Sequence, residues 1–190
     1  MIGVLPSSIK VGDKEYEILN TDFRTALVIL TAFNDSNISN QEKLAVMIEG
    51  LIGWQNISLD MSESEIQELV SECVKYLDGG KEYSTKPTQP KLMDWEQDEQ
   101  LIFSAVNNVA GKELRETPYC HWWTFLGFFN EIHEGLFSNV IGIRQKKAGH
   151  KKLDDVDKEF YRNNKDLIDL RENLTEEEKE YKEKLNELFK

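Results

Sequence analysis

Few side chains in this sequence have the types and spacing that acid–base, nucleophilic or metal chemistry requires. Three histidines and two cysteines occur among the 190 residues: His121, His133, His150, Cys73 and Cys120. None has the short ligand spacing of a zinc site, and two distant cysteines do not make a disulfide framework. Cys120 and His121 are neighbours, but consecutive residues of a helix do not face each other, so they make no nucleophile–base pair. We expect both thiols to be reduced and buried, and His121 to be a hydrogen-bonded core residue.

Four acidic residues near the middle of the chain are the remaining candidates: Asp94, Glu96, Asp98 and Glu99. A pair of carboxylates can serve as a catalytic acid and base. These four lie at the start of a predicted helix, however, where the helix dipole stabilises negative charge. That structural interpretation is the simpler one, and the chain has no glycine-rich phosphate loop. The sequence therefore predicts no enzymatic site, no cofactor and no metal site.

The overall charge narrows the range of partners. The formal net charge is −12 and the isoelectric point is about 4.8. Binding to nucleic acid or to anionic lipid requires a basic face, so both are disfavoured. An acidic surface suits solubility and would equally suit a basic protein partner. The start of the chain lacks the apolar stretch of a secretory signal and no apolar run is long enough to span a membrane, so we expect a cytoplasmic protein.

The densest apolar segment lies at residues 119–129. Six of its eleven residues are aromatic: Tyr119, Trp122, Trp123, Phe125, Phe128 and Phe129. Each such side chain covers roughly 150–250 Å² when it is buried. The segment therefore either lies in the middle of a core, which is the simpler interpretation, or forms a surface that a partner covers.

The first 80 residues have the pattern of a β-hairpin followed by three helices. Apolar and polar residues alternate on both sides of a Gly12-Asp13 turn, which is typical of a hairpin. Apolar residues then recur at helical spacing in three stretches. Each stretch is preceded by residues that favour a helix start, including two capping boxes. The predicted caps are Thr21 or Asp22, Ser39 with Glu42, and Ser62 with Glu65.

Residues 79–91 form a linker that is rich in glycine, proline and small polar residues. We expect it to be an exposed loop within one domain, because a hairpin and three short helices make a thin core by themselves. A further helix is predicted near Asp94. Thr117 is then predicted to cap the aromatic helix, with Pro118 at its first position. Ser138 is predicted to cap a short helix with a basic end.

The last part of the chain changes character. A heptad register runs through residues 153–174, with steps that alternate between three and four residues and with the polar Asn163 at one seam position. Its positions are Leu153, Val156, Phe160, Asn163, Leu167, Leu170 and Leu174. A third capping box begins at Thr175. The segment is interpreted either as an amphipathic hairpin folded back on the body or as an arm for self-association or a partner helix. The predicted fold class is therefore mainly α, with a small N-terminal β-hairpin packed on a helical bundle and a C-terminal helical hairpin or arm. Residues 1–152 are expected to form one domain and residues 153–190 the arm.

Two groups of segments resemble a known family. The first group comprises Leu5-Pro6-Ser7-Ser8, Gly12-Asp13-Lys14-Glu15-Tyr16 and Asn20-Thr21-Asp22-Phe23-Arg24. The second comprises Trp95-Glu96-Gln97-Asp98, Leu101-Ile102-Phe103-Ser104-Ala105, His121-Trp122-Trp123 and Ile141-Gly142-Ile143-Arg144. Together they are similar to the small acidic proteins encoded just upstream of the tape-measure gene in long-tailed phages and prophages of Gram-positive bacteria. The resemblance covers residues 4–170.

Proteins of that family are regarded as tail assembly chaperones. The resemblance therefore implies a non-enzymatic protein that keeps the tape-measure protein soluble before the tail tube polymerises. The implied partners are the tape-measure protein and, as a further candidate, the tail-tube protein, with self-association also open. The implied location is the host cell cytoplasm, with the protein absent from the mature virion. A structural component of the tail or connector, and an enzyme with an unrecognised site, are the alternatives.

Aromatic residues are the usual anchors of protein–protein binding, so the aromatic segment is the first candidate for a binding surface. If that segment is wholly core, the apolar residues of the arm take its place. The candidate residues are Trp122, Trp123, Phe125, Phe128 and Phe129 in the aromatic segment, and Leu153, Val156, Phe160, Leu167 and Leu170 in the arm.

Overall fold

The computed structural model describes residues 2–81 and 90–171. In these ranges the chain is mainly helical, with a small antiparallel hairpin near its N-terminus. The predicted fold class is thus confirmed. Within the same ranges, no helix combines the length and the apolar character that crossing a bilayer would require.

The elements follow one another in a simple order. Two short 3₁₀ turns, at Trp54–Asn56 and Leu114–Glu116, interrupt the series of helices. In chain order the strands and helices are β1 (Ser8–Val11), β2 (Lys14–Glu17), α1 (Phe23–Asn34), α2 (Asn40–Leu51), α3 (Glu63–Leu77), α4 (Glu99–Ala110), α5 (Trp122–Asn130), α6 (Leu136–Ala148), α7 (Asp155–Asn163) and α8 (Lys165–Ile168).

The hairpin forms as predicted and packs on a helix. Gly12 makes its turn with a φ of 56°, a value that favours glycine. Ile9 pairs with Tyr16 across the two strands, and both side chains are buried. Because β1 packs against α3, the hairpin gains the apolar cover that an isolated hairpin lacks.

The first three helices begin at the predicted caps. The Asp22 carboxylate accepts a hydrogen bond from the first turn of α1. Ser39 with Glu42, and Ser62 with Glu65, form reciprocal capping boxes at α2 and α3. Each box satisfies two backbone N–H groups that the helix itself leaves without partners.

The aromatic helix α5 begins later than predicted. The Thr117-Pro118 start is wrong, because the helix begins at Trp122 with His121 as its cap. The cause is a tertiary contact. The backbone N–H of Phe23 donates to the Cys120 carbonyl at 2.9 Å, and His121 forms a β-bridge with the residue that precedes α1. These backbone pairings hold the residues after Pro118 out of the helix.

The start predicted for α6 at Ser138 is also wrong. The helix begins at Leu136, so Ser138 lies inside its first turn. Gly135 precedes the helix with a φ of 122°, a conformation that residues with side chains rarely adopt. The backbone turn at this glycine therefore sets the start of the helix.

Within residues 2–81 and 90–171, the buried apolar side chains form two clusters. The larger one joins the buried face of the hairpin to α1, α2, α3, α4 and α5. The smaller one is built from Val140 and Ile143 of α6 and Ile168 of α8. Half-buried Leu153 and Phe160 cover its edge.

The heptad register does not produce one continuous helix after residue 153. α7 ends at Asn163, and the backbone N–H of Asn164 bonds to the Tyr161 carbonyl before α8 begins. Within residues 153–171, the fully buried residue is Ile168, with 1% exposure, and it is not a member of the predicted heptad series. Because α8 packs against α6, residues 153–171 fold back on the body. The second half of the predicted hairpin lies outside the described residues, so the choice between hairpin and arm stays a prediction.

Some predictions fall on parts of the chain that the structure does not describe. Residues 82–89 of the linker and residues 172–190 of the arm lie outside the described ranges. The exposed linker, the last helix of the arm and the domain boundary after residue 152 therefore stay predictions.

Candidate partner-binding surface

The aromatic helix α5 has a buried side and a half-exposed side. Trp122 and Phe125 have exposures of 1% and 0%. Trp123, Phe128 and Phe129 are half-buried and pack against the edge of the core. The core interpretation therefore holds for Trp122 and Phe125. The interpretation as a surface that a partner covers stays a prediction for the half-buried residues Trp123, Phe128 and Phe129.

The buried side of α5 belongs to an aromatic stack with α1 and α4. The rings of Phe125 and Phe23 have centroids 4.8 Å apart and an angle of 9° between their planes. Trp122 stacks on Phe125 at 5.7 Å, and Phe103 meets Phe125 edge-on at 5.9 Å. Stacked and edge-to-face pairs stabilise a core beyond the area they bury. The chain's own residues thus cover Trp122 and Phe125.

The His121-Trp122-Trp123 tripeptide ties α5 to two other elements. His121 Nδ1 accepts the backbone N–H of Trp123 at 3.0 Å, which leaves Nε2 to donate to the Pro6 carbonyl at 3.0 Å. The indole N–H groups of Trp122 and Trp123 donate to the carbonyls of residues 77 and 76, each at 2.9 Å. The last carbonyls of a helix have no intrahelical partners. The two tryptophans therefore complete the end of α3.

A buried carboxylate organises the start of α1. Asp22 accepts the backbone N–H groups of Cys120 at 2.9 Å and of Arg24 at 3.0 Å. The Arg24 guanidinium pairs with the same carboxylate at 3.0 Å and donates to three carbonyls within residues 114–117. Because the Asp22 carboxylate is buried, removing the groups that pair with it would leave a buried charge without a partner, which is destabilising.

Much of the family resemblance lies in the 20–24 segment and the 121–123 segment. The structure places these two segments in contact, where α1 and α5 begin. The backbone N–H of Trp122 donates to the Thr21 carbonyl at 2.8 Å. The hydroxyls of Thr21 and Tyr119 lie 2.7 Å apart. These contacts fix α1 against α5, so the two motifs have a structural role that accounts for their residue types.

Of the four acidic residues at 94–99, two have structural roles and two are exposed to solvent. Asp94 accepts the backbone N–H groups of Glu96 and Gln97 at 3.0 and 2.8 Å and so closes the turn before α4. Asp98 is 1% exposed and forms an ion pair with a buried arginine. Glu96 and Glu99 point their exposed side chains outward. The cluster therefore does not bring two free carboxylates together.

Arg144 connects distant parts of the chain through its pair with Asp98. Two of its nitrogens bond to the two carboxylate oxygens at 2.6 and 2.8 Å. The same guanidinium donates to the carbonyls of Leu92, Leu167 and Ile168. Bidentate guanidinium–carboxylate pairs are among the stronger polar contacts in proteins. This contact joins α4, α6 and α8.

The two cysteines are free and buried, as predicted. Burial raises the pKa of the Cys73 thiol to about 12, so this side chain is not a reactive thiolate at neutral pH. Among the described residues, no group of three or more His, Cys, Asp or Glu side chains is placed to hold a metal ion.

A cavity of about 550 Å³ opens beside α5. Its lining includes Trp122, Trp123 and Phe129, together with Leu30 and Trp95 from other elements. Of the predicted aromatic residues, Trp122, Trp123 and Phe129 therefore line this cavity. Phe125 lies in the core, and Phe128 packs against the edge of the core outside the cavity.

The candidate residues of the arm are mostly covered. Leu153, Phe160 and Leu167 pack against the smaller core cluster, and Leu170 is half-buried. Val156 is the exception, with 78% exposure. The structure does not bring the arm residues and the aromatic residues together into one patch.

Sequence reasoning missed an exposed apolar surface beside α1. Val28 is 64% exposed and Trp54 is 50% exposed, and both line a groove of about 560 Å³ between α1 and α2. A second groove, of about 310 Å³, lies between α1 and α4 and is lined by Val28, Leu27, Trp95 and Phe103. We call Val28 and the two grooves that flank it the α1 face.

A signal for this face is present in the sequence. Residues 26–30, Ala-Leu-Val-Ile-Leu, are five consecutive apolar positions. Five consecutive residues cover more than one full turn of a helix, so a helix that packs on one side cannot bury them all. At least one of these side chains had to lie outside the core.

A family model matches most of the chain. The model of a protein family described as "Bacteriophage Gp15 protein" matches residues 1–170. None of the curated proteins and none of the solved structures matches the chain.

Proposed function

The chain belongs to the bacteriophage Gp15 protein family, and from this premise we propose that it is a tail assembly chaperone that keeps the tape-measure protein soluble. Family membership makes it a bacteriophage protein and favours a structural or assembly role. The chaperone role is our more specific proposal within that range of roles, and it requires no enzymatic activity.

The observation that carries the proposal is the α1 face. A chain with a net charge of −12 keeps an exposed valine and an exposed tryptophan beside two apolar grooves. Exposed apolar side chains beside apolar grooves offer contacts for a protein partner, and grooves between helices accept amphipathic helices. The acidic remainder of the surface supports solubility of the complex.

The physical demands on such a chaperone agree with these features. A tape-measure protein is long and helical, and its apolar faces would aggregate before the tail tube surrounds them. A soluble partner that covers those faces prevents this. Release occurs when tube subunits compete for the same surface, so individual contacts should be weak and should dissociate quickly. We expect the protein to act in the host cytoplasm and to be absent from the mature virion.

Co-expression tests the proposal. The protein is produced together with fragments of the tape-measure protein encoded beside it, and the soluble species are measured by chromatography with light scattering. We expect soluble complexes, and we expect the fragments to precipitate when they are produced alone. Fragments that precipitate regardless, while this protein elutes alone, would contradict the chaperone role.

A second measurement separates the assembly role from a structural one. Mass spectrometry of finished phage particles detects any protein present in stoichiometric amounts. We expect this chain to be missing from the particles. Its presence at a fixed ratio to the tail-tube subunit would instead identify a structural component of the tail or connector.

A further inference from the structure

We propose that the α1 face binds an amphipathic helix whose apolar stripe is flanked by basic side chains. The inference rests on the proposed function, because it assigns this helix to the tape-measure protein. It goes further by naming the surface and the chemistry of the segment that it recognises. No residue of the aromatic helix or of the arm lines either groove, although Trp95 lines both the smaller groove and the cavity beside α5.

The shape of the face suits one helix. α1 has twelve residues, so it is about 18 Å long and can run beside about three turns of a partner. At Gly50 the two helices α1 and α2 approach closely, since a Cβ there would lie 3.0 Å from Ile29 Cδ1. This close approach forms the floor of the larger groove, while Val28 forms the ridge between the two grooves. Ridges that fit into grooves are the usual way in which helices pack.

The rims of the face are acidic. Glu49 lines the groove on the α2 side, and Glu96 and Glu99 line the groove on the α4 side. All three are exposed. The backbone N–H of Trp54 donates to the Glu49 carboxylate at 3.0 Å, which holds that carboxylate beside the exposed indole. An apolar strip between carboxylates is complementary to an apolar stripe between lysines or arginines.

The basic side chain in the lining does not cancel this charge. Arg24 lines the larger groove, but its guanidinium is paired with Asp22 and bonded to three backbone carbonyls. It is therefore already neutralised by a buried partner. The net character of the two rims remains negative.

The negative charge of the rims also disfavours two other candidates for binding to the α1 face, a second copy of the chain and its own residues 172–190. A second copy of the chain carries the same net charge of −12, so association of two acidic faces is opposed. Residues 172–190 of this chain contain seven acidic and four basic side chains and would also be repelled. A basic partner helix is the occupant that the electrostatics select.

Peptide binding to the full-length protein tests the surface. The probe is a fluorescein-labelled designed helix of about 18 residues, five turns, with leucines on one side and lysines on both flanks. A second probe has the same leucines with glutamates in place of the lysines, and a third is a synthetic peptide of residues 172–190. Fluorescence anisotropy at low and high salt gives the affinities. We expect the lysine-flanked probe to bind most tightly and to weaken as salt rises.

Paired variants locate the binding. Val28→Gln should weaken the lysine-flanked probe roughly tenfold, because it removes an apolar side chain from the contact. Its matched control is Val109→Gln, an exposed valine on α4 outside both grooves, which should change affinity less than about twofold. Glu96→Lys should weaken the lysine-flanked probe and strengthen the glutamate-flanked one, while Glu159→Lys on α7 should do neither. Circular dichroism confirms that each variant is folded.

Several results would overturn the proposal. One is equal binding of both designed probes. Another is equal loss of binding in Val28→Gln and Val109→Gln, or a larger loss in Val156→Gln, which would place the site on the arm. Tightest binding by the peptide of residues 172–190, or a dimer in light scattering that Val28→Gln dissociates, would assign the face to this chain itself.

The proposed function and this inference fail in different ways. If the Val28→Gln and Glu96→Lys variants still form soluble complexes with tape-measure fragments, the chaperone role stands and the α1 face is rejected as the binding surface. Specific binding of the lysine-flanked probe without any solubilised fragment would keep the face as a helix-binding surface and reject the chaperone role.

Discussion

At the scale of single residues, the indole N–H of Trp123 has a hydrogen-bond partner, whereas the hydroxyl of the neighbouring Tyr76 has none among the described residues. The Trp123 indole donates to the Tyr76 carbonyl at 2.9 Å. The Tyr76 hydroxyl is buried without a hydrogen-bond partner among the described residues. Burial raises the pKa of this phenol, so the hydroxyl stays protonated and its donor is not used.

This contrast predicts opposite effects for two tyrosine-to-phenylalanine changes. Tyr76→Phe should leave the free energy of unfolding unchanged or raise it by up to about 1 kcal/mol, because it removes an unsatisfied buried hydroxyl. Tyr161→Phe, the matched control, should lower it by about 1 kcal/mol, because the Tyr161 hydroxyl donates to Asp169 at 2.8 Å. Denaturation in urea measures both. A loss in Tyr76→Phe as large as that in Tyr161→Phe would show that the buried hydroxyl is satisfied.

Asp94 links stability to pH. Burial would raise the pKa of Asp94, but hydrogen bonds from the backbone of Gln97 and Glu96 and from Lys91 outweigh it and hold the pKa below its usual value. A carboxyl whose pKa is lowered by folding stabilises the fold above its unfolded pKa, and this contribution is lost as pH falls through the folded pKa. The free energy of unfolding should therefore fall as pH is lowered from about 5 to about 2.

Asp94→Asn tests this assignment. Asparagine does not take up the proton, so the variant should show a shallower fall in the free energy of unfolding over the same acid range. Denaturant titrations at several pH values measure the slope. If the variant and the wild-type chain have equal slopes, the carboxyl does not carry the effect.

At the scale of elements, the end of α3 depends on a helix that is distant in sequence. Trp122 and Trp123 donate to its last carbonyls, and Gly80 follows with a φ of 83°. A Cβ on Gly80 would lie 2.8 Å from the Trp123 ring. The glycine thus serves both the backbone turn and the close approach of the indole.

The hydrogen bond from Trp123 can be tested by removing only its donor. Trp123→Phe keeps an aromatic ring but loses the N–H, and we expect it to lower the free energy of unfolding by about 1–2 kcal/mol. Trp54→Phe is the matched control, because Trp54 is 50% exposed, and its effect on unfolding should stay within about 0.5 kcal/mol. Equal effects of the two changes would mean that the indole bond does not stabilise the end of α3.

At the scale of the whole molecule, the C-terminal helices are held by a small apolar cluster and one buried ion pair. Ile168 inserts beside Val140 and Ile143. Arg144 bonds to the carbonyl of Ile168 at 2.7 Å while it pairs with Asp98. This arrangement connects α8 to α4 and α6.

Ile168→Ala should therefore release a buried contact. We expect it to lower the free energy of unfolding by about 2–4 kcal/mol, as is usual for truncating a buried aliphatic side chain. Val156→Ala is the control, since Val156 is 78% exposed, and it should change stability by less than about 0.5 kcal/mol. Hydrogen exchange of α7 and α8 shows whether these helices detach first. Equal, small effects of both changes would mean that the cluster contributes little to stability.

The sequence by itself determined the features that depend on neighbouring residues. The hairpin turn at Gly12 and the caps at Asp22, Ser39 and Ser62 act over a few residues, so their patterns are visible without a fold. The burial of the two cysteines follows from their apolar surroundings. The resemblance carried by the 20–24 and 121–123 segments predicted a bacteriophage protein family. The family match over residues 1–170 confirms that the chain belongs to such a family.

Only the tertiary structure decided the features that depend on distant residues. The start of α5 moved to Trp122 because the backbone beside it pairs with the start of α1. The heptad pattern was interrupted at Asn164, and Ile168 became the buried anchor because α6 packs on that side. The exposure of Val28 likewise follows from where α2 and α4 lie beside α1. Local patterns set helix starts and periodicity, but which face is covered depends on long-range packing, which a single sequence does not specify.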